Sequence, residues 1–198
     1  MAFEEMNDKK YKEMILEQEE FEYEMMVMEM EGKPTEVFES YDGELIKFRG
    51  NERNISIPHY ITSIRDRVFL GCHNLEKTDI PNGVGKIEYN AFGFCKNLVK
   101  ISLPKKLKII GQDAFVSCES LERVRLPRGV SELEVGAFSN CKSLKKVTLP
   151  KTLKKIGARA FCGCYALGPV KNPDSVTEIG ANAFGIDDLA EYDMDDKW

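Results

Sequence analysis

A regular spacing of 23 residues organises most of this chain. Prolines and phenylalanines each recur at that interval in a column of their own. The prolines are Pro58, Pro81, Pro104, Pro127, Pro150 and Pro173, and the phenylalanines are Phe69, Phe92, Phe115, Phe138, Phe161 and Phe184. A period of about 20 to 29 residues is typical of solenoids, in which each coil buries its apolar face against its neighbours. The sequence therefore predicts six stacked 23-residue coils over residues 55–186.

Each coil is predicted to combine a strand, a bend and a short helical turn. In the third coil, residues 100–104 alternate polar and apolar side chains, and Pro104 ends the strand because proline has no N–H to donate. After the bend at Gly111, apolar residues at Ala114, Cys118 and Leu121 follow at steps of four and three, which indicate about one helical turn. The predicted fold class is an α/β repeat solenoid with a parallel strand face and short helical turns.

The residues before the coils predict a cap in two parts. Residues 1–34 have no proline or glycine until Gly32 and Pro34, and they are rich in Glu, Lys and Met, which favours an acidic N-terminal helix. Residues 35–54 contain Asp42-Gly43 between two strand-like segments, which predicts a hairpin. Because an open strand edge invites aggregation, we expect this hairpin to cap the solenoid. Residues 187–198 are predicted to form an acidic C-terminal tail.

The charge of the chain is divided unevenly. Residues 1–31 carry eleven acidic and three basic side chains, and residues 187–198 carry six acidic side chains and one lysine. Residues 32–186 hold the remaining 24 basic and 16 acidic side chains, so a basic array lies between two acidic ends. No apolar run reaches the roughly 18 residues of a membrane helix. The first residues do not resemble a secretory signal, so we expect a cytoplasmic location if the chain is complete.

The outward positions of the predicted strands hold the candidate binding residues. If Ile101 and Leu103 point into the core, Lys100 and Ser102 point outward. These outward positions and the positions just after the strands stack a set of cations, namely Lys77, Lys100, Arg123, Arg125, Lys146, Lys105, Arg128 and Lys151. Like charges on neighbouring strands repel each other. The face is therefore either a solvated surface that aids solubility or a docking surface for an acidic protein or another polyanion.

Nucleic acid fits this face less well than an acidic protein does. A basic stripe supplies phosphate contacts, but the outward positions carry no Phe, Tyr or Trp on which bases could stack. The same absence argues against a sugar-binding platform. We therefore expect a protein partner, and we expect its binding to depend on salt.

Neither catalysis nor metal binding is predicted. Five cysteines share one register, and we expect them to be small buried residues; they are Cys72, Cys95, Cys118, Cys141 and Cys164. The close pair Cys162 and Cys164 lacks a second pair of ligands, and the only histidines, His59 and His73, belong to other coils. The chain has no glycine-rich phosphate loop and no catalytic serine or zinc motif. We expect no cofactor and no enzymatic activity.

The repeat unit resembles the BspA-like class of leucine-rich repeats, which is found in many bacterial and protist surface proteins. The resemblance rests on units such as Val130-Ser-Glu-Leu133, Ala137-Phe138, Cys141, Leu144 and Val147-Thr-Leu149-Pro150. It covers about 70% of the chain, roughly residues 44–185. The resemblance implies a curved, non-enzymatic array of leucine-rich-type coils that binds proteins or other macromolecules. It also implies a cell-surface or secreted location, although the sequence lacks the export signal and anchor that many members carry.

These observations predict a non-enzymatic interaction scaffold that binds an acidic protein partner through its basic strand face. A structural or self-assembling module that dimerises through the Met-rich N-terminal helix is the alternative. That helix could also pack on the hairpin as part of the cap, or occupy the basic face of its own chain, since residues 1–31 have a net charge of −8 and residues 32–186 of +8.

Overall fold

The structure is a computed structural model that describes residues 37–185. These residues form thirteen strands and no helix. The strands are β1 (Phe38–Tyr41), β2 (Glu44–Phe48), β3 (Asn54–Ser56), β4 (Ser63–Ile64), β5 (Lys77–Asp79), β6 (Lys86–Ile87), β7 (Lys100–Ser102), β8 (Ile109–Ile110), β9 (Arg123–Arg125), β10 (Glu132–Leu133), β11 (Lys146–Thr148), β12 (Lys155–Ile156) and β13 (Glu178–Ile179). The predicted β-solenoid of stacked 23-residue coils is confirmed.

One sheet runs through every coil. Its eight strands follow the order β1-β2-β4-β6-β8-β10-β12-β13, and every pair after the hairpin is parallel. Ile64 pairs with Ile87, and Ile87 pairs with Ile110, so each residue lies beside the residue 23 positions further along the chain. Spacing in the sequence is therefore reproduced as position in space.

The remaining strands, β3, β5, β7, β9 and β11, form a second surface that we call the strand face. It is divided into a sheet of three strands, β3-β5-β7, and a sheet of two, β9-β11. The sixth coil adds no strand at the corresponding residues 169–171, where Pro169 has no N–H to donate.

The core is a row of phenylalanine rings with apolar columns on either side. From Phe69 to Phe184, consecutive ring centroids lie 4.7 to 5.6 Å apart, and the planes differ by only 5° to 12°. The rings from Phe69 to Phe161 are almost completely buried. The row continues into the hairpin, since the Phe48 ring lies 5.0 Å from that of Phe69. Each coil thus buries an aromatic face that it could not cover alone.

The predicted helical turns are wrong. Turns surround each buried phenylalanine, and their N–H groups alternate between two partners, namely the carbonyl three residues earlier in the same coil and a carbonyl of the next coil. The N–H of Phe92 donates to the carbonyl of Ala114 in the next coil, at 2.8 Å. Asn90 and Phe94, two residues before and after it, have positive φ angles of 52° and 59°, which reverse the direction of the chain. Left-handed residues recur at these two positions in the other coils, so the helical spacing of the apolar residues arises from a corner and not from a helix.

A hairpin forms where Asp42-Gly43 predicts one. Asp42 and Gly43 have φ angles of 47° and 76°, and two positive angles in a row are typical of the type I′ turns that suit two-residue hairpins. β2 then pairs in parallel with β4, which places the hairpin at the first edge of the eight-stranded sheet. The predicted N-terminal helix and acidic tail lie outside the described residues.

Candidate binding surface on the strand face

Strands of the strand face bury their middle residue, and the residues before and after it point outward. In β7 the side chain of Ile101 is buried, while Lys100 and Ser102 are exposed. In β9 the pattern repeats with Val124 buried between two exposed arginines, Arg123 and Arg125. Because strand side chains alternate, anchoring one apolar residue fixes the direction of both of its neighbours.

All eight cations that the sequence singles out are exposed on this side of the solenoid; they are Lys77, Lys100, Lys105, Arg123, Arg125, Arg128, Lys146 and Lys151. The backbone register places Lys77 beside Lys100 and Arg123 beside Lys146. Neighbouring parallel strands lie about 4.8 Å apart. Lys77 and Lys100 thus lie side by side, as do Arg123 and Lys146, and we refer to the eight exposed cations together as the basic stack.

These cations have no acidic partners among residues 37–185. No carboxylate oxygen of the described residues lies within 4.0 Å of any of the eight charged groups. The eight-stranded sheet differs, because Lys86 pairs with Glu88 at 2.7 Å and Lys155 with Glu178 at 2.8 Å. Lys86 and Lys155 within the eight-stranded sheet are thus neutralised, whereas the eight cations of the strand face form no ion pair among the described residues.

A groove of about 460 Å³ lies over β9 and reaches its neighbours β7 and β11. β7 and β9 are not paired, although β5 pairs with β7 and β9 with β11. The groove is lined by Val99, Lys100, Ile101, Glu122, Arg123, Val124, Arg125, Lys146 and Thr148. The carboxylate of Glu122 is held by Lys145 at 2.8 Å, and that hydrogen bond, with a smaller contribution from Arg123, keeps the pKa of Glu122 below its ordinary value. No pattern in the sequence predicts this groove.

Cysteine thiols form a column of donors inside the coils. The Sγ of Cys95 donates to the carbonyl of Phe69 at 3.0 Å, and the Sγ of Cys118 donates to that of Phe92 at 3.1 Å. Burial raises the pKa of the Cys118 thiol to about 12 and that of the half-buried Cys72 to about 11. Both thiols therefore stay protonated at neutral pH, whereas a catalytic cysteine needs an exposed thiolate.

Exposed aromatic side chains border the strand face at its first coil. His59 and Tyr60 follow Pro58, and their rings lie 5.9 Å apart, edge to face. Both side chains are exposed. His59 occupies the position just after the strand that Lys105 holds two coils later. It therefore belongs to the same column of the repeat as the cations that follow the strands. The strand pattern from which the sequence predicts the binding face does not include this pair, because both residues follow the strand.

Within the described part of the chain, no three His, Cys, Asp or Glu side chains are arranged so that they could hold a metal ion. No segment of residues 37–185 forms a helix that could cross a lipid bilayer.

The 23-residue repeats match a known family. A family model described as the BspA type leucine-rich repeat region matches residues 48–167 in six copies. The chain belongs to the BspA-type leucine-rich repeat family. Leucine-rich repeats of this family typically take part in protein interactions, and the solenoid is generally a non-enzymatic scaffold. A search of curated proteins found no match.

Solved structures of bacterial leucine-rich repeat proteins share this solenoid. A leucine-rich repeat protein of T. pallidum is 28% identical with a TM-score of 0.68, and the alignment covers 75% of this chain and 81% of that protein. One from Eubacterium ventriosum is 27% identical with a TM-score of 0.57, and the alignment covers 73% of this chain and 46% of the other. One from Bacteroides ovatus is 25% identical with a TM-score of 0.51, with coverages of 72% and 45%. The chain thus spans less than half of the latter two proteins.

Proposed function

We propose that this BspA-type solenoid is a non-enzymatic scaffold that binds an acidic protein through its strand face. The observation that carries the proposal is the stack of eight exposed cations without an acidic partner among the described residues. Like charges at the spacing of neighbouring strands repel, and an anionic partner would turn this repulsion into attraction. The paired cations of the eight-stranded sheet offer no comparable gain on binding.

Two observations favour a protein over a nucleic acid as the partner. The outward positions of the five strands carry no Phe, Tyr or Trp, so bases would find no stacking platform there. The family, moreover, is typically engaged in protein interactions. The buried, protonated thiols of the core give no support to a catalytic alternative.

The proposal is tested by reversing charges on the strand face of the full chain. Fluorescence anisotropy with labelled poly-L-glutamate at low salt would compare the native protein with a triple variant, Lys100→Glu, Arg123→Glu and Lys146→Glu. Lys108→Glu, Lys154→Glu and Arg159→Glu form the matched control, because these three exposed cations lie outside the strand face and the charge change is the same. We expect the strand-face variant to lose at least about tenfold in affinity, or about 1.4 kcal/mol, and the control to lose far less.

Equal losses in the two triple variants would contradict the proposal, because binding would then follow net charge and not the strand face. Duplex DNA of similar charge serves as a second probe, and tighter binding of DNA than of polyglutamate would contradict the choice of a protein partner. Affinity for polyglutamate should also fall steeply with added salt, since exposed charges are screened over about 8 Å at physiological ionic strength.

A further inference from the structure

The strand face is interrupted at one place, between β7 and β9. No backbone hydrogen bond joins Lys100–Ser102 to Arg123–Arg125, whereas β5 pairs with β7 and β9 with β11 in full three-residue registers. The eight-stranded sheet on the same coils is continuous across this point, where β8 pairs with β10. The interruption is therefore local to the strand face and does not reflect a break in the stack of coils.

The interruption coincides with the highest density of positive charge. The fourth coil is the only one of the five strand-bearing coils with cations at both outward positions, Arg123 and Arg125. In the second coil the corresponding residues are Lys77 and Asp79, whose charges are opposite although they form no ion pair within 4.0 Å. Lys100 stands beside Arg123 from the preceding coil and Lys146 beside it from the next, and both line the groove. These cations lie on both sides of the break in the ladder, and like charges there repel each other.

The two arginines also have a defined spacing. Arg123 and Arg125 lie two residues apart on one strand, so their side chains leave the same face about 6.6–6.8 Å apart along it. An extended peptide has this spacing between the side chains of residues i and i+2. The guanidinium group is a rigid fork that matches the two oxygens of a carboxylate. A segment with acidic residues at alternate positions would therefore place one carboxylate on each arginine.

We propose that the groove over β9 is the main subsite for an extended acidic segment of the partner protein, with Asp or Glu at positions i and i+2 opposite Arg123 and Arg125. This inference rests on the proposed function and states which part of the strand face contributes most to binding. Lys100 and Lys146 flank the segment, and the Thr148 hydroxyl offers a further donor. Glu122 is the one carboxylate in the lining, and its ion pair with Lys145 reduces its repulsion of the segment.

The spacing is tested with two labelled peptides of six glutamates and six serines. In one peptide Glu and Ser alternate, which gives many i, i+2 pairs. In the other, two serines alternate with two glutamates, which gives none. Both peptides have the same length, composition and charge. We expect the alternating peptide to bind the native full-length protein at least about fivefold more tightly in fluorescence anisotropy at low salt, and equal affinities would overturn the inference.

The position of the subsite is tested with two single charge reversals, one inside the groove and one outside it. Arg125→Glu should weaken binding of the alternating peptide at least about tenfold, and Lys151→Glu, at the far end of the basic stack, less than about threefold. Arg125→Lys keeps the charge but removes the fork, and we expect a loss of about threefold. Thermal unfolding of each variant would establish that it is folded.

The outcomes separate this inference from the proposed function. If Arg125→Glu and Lys151→Glu weaken binding equally, or if Arg125→Lys binds like the native protein, the subsite is wrong while the strand face still binds acidic chains. If neither reversal weakens binding more than the control Lys108→Glu, the proposed function fails as well, because the strand face is then not the binding surface.

Discussion

Phe115 lies in the middle of the phenylalanine row and illustrates how a single residue stabilises the coils. Its ring is fully buried and stacks on Phe92 and Phe138, with centroids 5.3 and 5.0 Å away. Phe115→Ala would empty a space that neither neighbouring coil can fill without moving its own backbone. We expect it to lower the free energy of unfolding by about 3–5 kcal/mol, measured by urea denaturation.

Lys100→Ala is the natural comparison for this substitution, because Lys100 lies in the same coil as Phe115 and its side chain is exposed. Substitutions of exposed residues usually change stability by less than about 0.5 kcal/mol. If Lys100→Ala proved the costlier of the two, the assignment of inward and outward positions would be wrong.

At the scale of the element, the close approach between neighbouring strands limits which residues can follow them. Gly157 comes directly after β12, and a Cβ placed on it would lie 2.6 Å from the backbone carbonyl carbon of Glu134 in the preceding coil. Backbone atoms cannot give way as a flexible side chain can. Gly157→Ala should therefore destabilise the protein by about 1–3 kcal/mol in urea denaturation.

Glu134→Ala provides the matched control for Gly157→Ala. Glu134 occupies the same position one coil earlier and already carries an exposed side chain, so alanine introduces no new contact there. A Gly157→Ala protein as stable as Glu134→Ala would show that the two coils can separate at this point without cost.

At the scale of the whole molecule, repulsion among the cations of the strand face should lower the free energy of unfolding. Arg123 stands beside Lys146 and has no acidic partner among the described residues. Arg123→Glu should therefore raise the free energy of unfolding by roughly 0.5 kcal/mol at low salt. The gain should shrink at high salt, where surface charges are screened. Urea denaturation at about 0.02 and 0.5 M NaCl measures both effects.

Lys155→Glu makes the same charge change on the eight-stranded sheet and should have the opposite sign. Lys155 pairs with Glu178 at 2.8 Å, and reversal replaces this attraction by repulsion. If Arg123→Glu destabilised the protein as Lys155→Glu should, the strand-face cations would not be under electrostatic strain.

The sequence by itself determined the stack of coils and the side on which the cations lie. In a solenoid the neighbour of residue i is residue i+23, as the pairing of Ile87 with Ile110 shows, so a pattern along the chain becomes a pattern in space. Alternation within each strand then separates Ile101 in the core from Lys100 outside.

Only the tertiary structure decided the shape of the corners and the division of the strand face. The spacing of apolar residues around Phe92 is the same for a helical turn as for a left-handed corner, and the bond from its N–H to Ala114 in the next coil selects the corner. The break between β7 and β9 has no counterpart in the sequence, because β7 and β11 both place a lysine and a hydroxyl side chain beside β9, and only β11 pairs with it. Both features arise because backbone groups from different coils meet only after the chain has stacked.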